Sequence, residues 1–391
     1  MVTVDSNTVG TAADYATLAL WDSGERTDLL VADKIARAAM KDELHTGEVA
    51  IGTTWASDAT RYIWIDAENA AARHDGTAGT GARVVSASTI PIIFQNTAHH
   101  AHVTWLELSD SVPSDFRPCL RINSTADNMF LHMDKLIMRD QGIGFFLTSA
   151  DNCTVDLINT AIYNCDRHGI SLDGIGHTVR IYNNTVWNVG RDGAGHAALD
   201  IDSPSTTDVD MRNTLLHADA LAAAITITAG SGDPWNAGCD QNILSDGSGT
   251  TEGLPGDLIE SATFQAGTGG AGTRVMFANL TAGTEDLRLV EPVTRTDNAA
   301  IEFGNNLTAE VFPENISISE DIAGDTRAAA GAWDAGADGT PLPAVVSGRG
   351  GQRRGWRNPH RRMKTNLMMR MRAKDLETDR MMRRFRRRQG I

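Results

Sequence analysis

Two stretches of this chain, NCDRHGISLD (164–173) and NVGRDGAGHAALDID (188–202), concentrate the residue types that do acid–base work. Each ends in an alternating run, ISLD and LDID, in which every second residue is apolar. If Leu172 lies beside Ile201 as an inward pair, Asp173 falls beside Asp202 and Ser171 beside Asp200 on the outward face. Adjacent strands stand about 4.8 Å apart, so these carboxylates would crowd one another. Crowded carboxylates raise each other's pKa or bind a cation such as Ca2+, and either outcome suits catalysis. Asp173, Asp202, Asp200 and His168 are therefore the candidate acids and bases. Arg167, Arg191, Asp192 and His196 flank them and could grip a sugar. The plainer alternative is that these are solvated outward turns of an acidic protein, or that they hold a calcium ion.

What would bring the two stretches together is a repeat. VDLINTAI (155–162), VRIYNNTV (179–186) and VDMRNTLL (209–216) share one pattern of apolar positions closed by Asn and Thr. Weaker copies, LHMDKLIM (131–138) and AGCDQNIL (237–244), give start-to-start spacings of 24, 24, 30 and 28 residues. Such spacings describe the coils of a solenoid, and the alternation within each copy has the period of a strand. A second strand follows in each coil: FFLTS (145–149), ISLD (170–173), LDID (199–202) and ITIT (225–228). Asn159, Asn183 and Asn213 then fall in one column at a bend, where asparagine tolerates unusual backbone angles and hydrogen-bonds its neighbours. That column is read as structural.

These coils resemble the rungs of right-handed parallel β-helix proteins of the pectate-lyase-like superfamily, which includes polysaccharide lyases, hydrolases and bacteriophage tail spikes. DIAGDTR (321–327) followed by GAWDAGAD (331–338) resembles the closing segment of bacterial and phage members. The resemblance covers residues 10–340 and implies an all-β, right-handed parallel β-helix. In DYATLALWDSG and TDLLVADKIARAAMKDEL, helix-like apolar spacing predicts an N-terminal helical cap; RVMFANLTAGTEDLRL (274–289) and residues 319–339 are expected as terminal coils. No catalytic motif carries over. TVWNVG (185–190) lacks the acidic and histidine residues of the lyase signature with that opening, and no arginine or lysine base replaces them. Glycan contact is thus a firmer expectation than cleavage.

Charge divides the chain. From Arg349 onward, 16 Lys/Arg against 3 acids give +13, so the preceding residues carry -28 of the total of -15. An acidic body repels nucleic acid and anionic membrane, whereas the basic end would bind either, or a negative protein surface. The reading gives a cap at 1–50, a β-helix at 51–340, a Pro/Gly/Arg-rich linker at 341–362 and a basic segment at 363–391 that is expected to be helical. There, Met381, Met382, Arg383, Arg384, Phe385 and Arg386 are the candidate anchoring residues, methionine being suited to adaptable protein contacts. A disordered tail, or one folded back on the acidic body, is the alternative.

No apolar run is long enough to span a bilayer, and MVTVDSNTVG lacks the basic and apolar regions of a secretory signal. The four cysteines are read as buried thiols, and His100 and His102 in AHHAH as structural for want of a third zinc ligand. A glycan-facing β-helix without a secretory signal or disulfides fits a phage product assembled in the host cytoplasm and exposed after lysis. The expected function is a virion spike or fibre-like projection, its tail docked on other virion proteins, with nucleic-acid contact by the tail as a competing role. Many phage β-helices trimerise, so the resemblance implies a homotrimer. The rivals are a polysaccharide lyase or glycoside hydrolase acting through the carboxylates, and a non-enzymatic bacterial surface protein.

Overall fold

The computed structural model describes residues 2–338 except 53–54, 88, 96–99, 111–115, 124–128, 194, 203–206, 220–221, 229–232, 267–273, 282–284, 291–297, 313–315 and 317. The linker and the basic segment, with Met381, Met382, Arg383, Arg384, Phe385 and Arg386, lie outside the described residues.

Alternating apolar residues make short strands that stack in register from coil to coil. Three long parallel sheets result, with eight, nine and seven strands, and the body is a parallel β-solenoid of about eight turns. One coil shows the plan: Thr154–Ile158 lies in the first sheet, Ala161–Tyr163 in the second and His168–Ile175 in the third. The next coil begins at Thr178. Inward positions form continuous columns, such as Ala38, Ile65, Val103, Met133, Leu157, Ile181 and Met211, all buried. Each fully buried Leu, Ile, Val or Met contributes about 1.5–3 kcal/mol, but only against the coils above and below it.

The corner between the first and second sheets requires one residue at positive φ. Trp105, Lys135, Asn159, Asn183, Asn213 and Gln241 occupy it, with φ of 48–59°. Asn213 donates its side-chain amide to Asn183 Oδ1 at 2.9 Å, Asn183 to Asn159 Oδ1 at 3.1 Å, and Asn159 to Asp134 Oδ1 at 2.9 Å. The expected asparagine column is thus a hydrogen-bonded ladder. The four cysteines are buried thiols outside any disulfide.

Both ends differ from the sequence reading. The first fifty residues are not a helical cap: helices are confined to Leu18–Glu25 and Leu29–Ala32, and Thr3–Val9 pairs in parallel with Lys34–Met40 as first-sheet strands. KIARAAM satisfies a period of two as well as a helical one, since Ala36, Ala38 and Met40 all face the core. Nor are residues 274–289 and 319–338 terminal coils. Arg274–Asn279 pairs in parallel with Thr263–Ala266 and antiparallel with Asp286–Leu289. This small sheet lays Phe264, Val275, Phe277 and Leu289 against the outward side chains of Ala161, Tyr163 and Leu215 on the second sheet. Further along, Leu307, Ile316, Ile318 and Trp333 cover Ile158 and Tyr182 on the first sheet. Apolar residues at outward strand positions need a second layer, and this strap supplies it. It is pinned where Asn305 N–H donates to Asn213 Oδ1 at 2.7 Å and Ala337 N–H to Thr185 Oγ1 at 3.0 Å. Among the described residues, no helix is long and apolar enough to cross a membrane.

Candidate functional site

The third sheet carries the predicted carboxylates. Its register pairs Ser171 with Asp200 and Leu172 with Ile201, and Asp200 in turn with Thr226. With Leu172 and Ile201 buried inward, Ser171 and Asp200 take the outward side, and Asp173 and Asp202 follow them in sequence. One outward column reads Arg121, Phe146, Ser171, Asp200, Thr226.

The environment separates the carboxylates. Burial, reinforced by the negative charges of Asp202 and Asp173, pushes the Asp200 carboxyl up to about 6, although Ser171 Oγ donates to its Oδ2 at 3.5 Å. Asp202 Oδ1 accepts the hydroxyl of Thr228. Asp173 has no hydrogen-bond or ion-pair partner among the described residues. His168 stands 3.8 Å from Asp200 Oδ2 through Nδ1, yet that nitrogen accepts the Ala197 N–H at 3.2 Å. Nδ1 therefore carries no proton toward the carboxylate, and the 3.8 Å approach is proximity rather than an ion pair. Burial, with His196 and Arg167 nearby, lowers the His168 pKa to about 4, so the ring is neutral at pH 7.

The flanking residues sort into two groups. His196 meets His168 edge-on, with ring centres 5.0 Å apart, and its Nε2 pairs with Asp192 Oδ1 at 2.9 Å. Arg191 turns to Asp166, which the sequence reading did not single out, at 2.6 Å. Arg167 instead lies over the ring of Phe116 at 4.2 Å, and that ring is 71% exposed. Arg121 lies 5.6 Å from the ring of Phe146 and has no carboxylate partner among the described residues. Phe116, Phe146 and Arg121 were missed by sequence reasoning. The signal for Phe146 was present: in FFLTS one phenylalanine must face outward if the other faces the core.

Chemically, the strip offers a carboxyl that keeps its proton to about pH 6, neighbouring carboxylates, and guanidinium groups backed by aromatic rings. That set can hydrogen-bond and stack on sugar rings, and it has the elements of an acid–base pair. Among the described residues, no three His, Cys, Asp or Glu side chains are grouped to hold a metal ion. His100 stacks on Phe130 at 4.3 Å and His102 on Tyr62 at 3.8 Å, so these two imidazoles serve in an aromatic column of the first sheet.

Comparison with known proteins finds no matching family model, no matching curated protein and no matching solved structure.

Proposed function

We propose that this chain is a phage-like virion protein, a spike or fibre-like projection. In this reading its right-handed β-helix contacts host-surface glycans through the outward strip of the third sheet, and its basic C-terminal segment anchors it to other virion proteins. The observation that carries the glycan contact is the pairing of aromatic rings with guanidinium groups, Phe116 with Arg167 and Phe146 with Arg121, beside the carboxylates of Asp173, Asp200 and Asp202. The strap supports the choice of face, because it covers the outside of the other two sheets with apolar side chains. A homotrimer is the assembly that the resemblance to phage β-helices favours.

A second reading has its own support. Asp200, protonated up to about pH 6 beside Asp202, has the character of a general acid next to a base, which is what a depolymerase of the lyase or hydrolase class requires.

One set of experiments separates these readings. The full chain and the Asp173→Asn/Asp202→Asn double variant are sedimented with a panel of bacterial surface polysaccharides, and released reducing ends are measured. The variant should bind roughly tenfold more weakly, the loss of a charged hydrogen bond or more, at a nearly unchanged Tm. Undiminished binding removes the strip from the site, and release of reducing ends by the parent chain alone favours the enzyme. A chain ending at residue 348 should fold but fail to join purified particles; normal incorporation removes the anchoring role from the tail.

A further inference from the structure

A pocket of about 450 Å3 opens at the corner between the second and third sheets, lined by His217, Asp219, Ser245, Asp246, Thr263 and Phe264 together with alanines. Its volume falls within the roughly 300–1,000 Å3 typical of small-molecule sites. The walls come from two successive coils, through the loops after Leu215–Ala218 and Asn242–Leu244, and from the strap, through Thr263 and Phe264. None of these residues belongs to the acidic strip.

The polar groups are oriented. His217 Nδ1 accepts the Asn188 N–H at 3.2 Å, which places the imidazole proton on Nε2. Burial holds this imidazole neutral by lowering its pKa to about 4. One face of the ring lies on Trp187 at 4.0 Å, and Phe264 meets it at 5.1 Å. Asp246 is fixed from both oxygens: Oδ1 accepts the Ser248 N–H and hydroxyl at 3.0 and 2.6 Å, and Oδ2 accepts the Ala224 N–H at 3.0 Å. Among the described residues, no lysine or arginine lines the cavity.

A neutral N–H donor, two carboxylates, two hydroxyls and an aromatic wall match a ring that presents hydroxyl groups on its edge and C–H groups on its face. The carboxylates accept hydroxyl protons and reject an anion, which rules against a uronic or sialic acid at this position. We propose that the pocket binds a neutral pyranose, as a subsite separate from the acidic strip. The choice of a sugar rests on the glycan-contacting reading above. Continuity with it is structural: the Ala223 N–H, next to the pocket residue Ala222, donates to the His196 carbonyl at 3.1 Å, so the pocket and the loop of His196 share a wall.

The test uses the full chain and saturation-transfer NMR with glucose, galactose, mannose and N-acetylglucosamine, alongside galacturonate and putrescine. At least one neutral sugar should bind in the millimolar range, with galacturonate silent. Asp219→Asn/Thr263→Val, which alters the open rim, should weaken that sugar roughly tenfold or more, one charged hydrogen bond's worth, while Asp173→Asn/Asp202→Asn leaves it unchanged. A variant that alters binding while lowering Tm is replaced by Thr263→Val alone, which must still weaken the sugar. The proposal is overturned if no neutral sugar binds, if galacturonate or putrescine binds as well as they do, or if the rim variants bind like the parent chain. Loss of polysaccharide binding in the strip variant alone leaves the pocket standing, so failures of the two sites read out separately.

Discussion

Ser171 and Asp200 face each other across neighbouring strands, with Oγ 3.5 Å from Oδ2, too long to hold the carboxylate in its charged form against burial. The folded-state pKa of Asp200, about 6, therefore lies above its ordinary value of 3.8. The native state binds the proton more tightly, so this group favours folding at low pH, and that contribution is lost as pH rises from 3.8 through 6. Asp200→Asn should accordingly raise Tm at pH 7.5 and lose that advantage near pH 4. Thermal unfolding of the two chains at both pH values checks it, and a less stable variant at pH 7.5 would contradict the assignment. His74, His168 and His217 act in the opposite sense: each is held near 4 by burial, so stability is lost as pH falls from 6.5 toward 4 in parent and variant alike.

The corner ladder makes a second prediction. Asn183, at φ 54°, donates to Asn159 and accepts from Asn213, all three being fully buried. Asn183→Ala would combine a left-handed backbone strain of about 1–2 kcal/mol with buried amides left unpaired at about 1–3 kcal/mol. Asn183→Gly should recover only the backbone part. Chemical denaturation should rank the three chains parent, Gly, Ala; equal stability of Gly and parent would mean that the ladder bonds add nothing.

Much of this was legible because a solenoid repeats its physics. The spacing of VDLINTAI, VRIYNNTV and VDMRNTLL placed strands, inward columns and the asparagine corner, and the Ser171–Asp200 register followed from alternation alone. Positions that break the repeat were not legible. Trp105 and Lys135 hold the same corner as the asparagines, and no local rule predicts either residue at positive φ. Lys135 is tolerated there because Asp134 accepts its ammonium at 2.6 Å and the Trp105 ring lies 5.0 Å away. The strap escaped for a related reason. DLRL alternates like a coil strand, and whether such a strand extends the solenoid or lies on its outside depends on distant partners such as Tyr163 and Leu215. At the site, the exposed Phe116 went unnoticed because it stands outside any periodic run.

The strap's own stability turns on Arg327. Its side chain is buried, with Nη1 donating to the Asp334 carbonyl at 3.2 Å and Nη2 to those of Gly336 and Ala337 at 3.0 and 3.1 Å. Asp321, Asp334 and Asp338 surround the charge, and burial drives the Asp338 carboxyl well above its usual range. Arg327→Met keeps the bulk but strips three buried carbonyls of their donor and leaves Arg288 as the remaining cation acting on Asp338, which costs about 3–5 kcal/mol. The strap should then lift from Ile158 and Tyr182, so hydrogen exchange should rise across residues 300–338 and along the outside of the first sheet. The third-sheet strip shares no residue with this cluster, so polysaccharide sedimentation by the variant should match the parent below its lowered Tm. Unchanged exchange and Tm in Arg327→Met would show that the apolar contacts of Trp333, Leu307, Ile316 and Ile318 hold the strap without the buried charge.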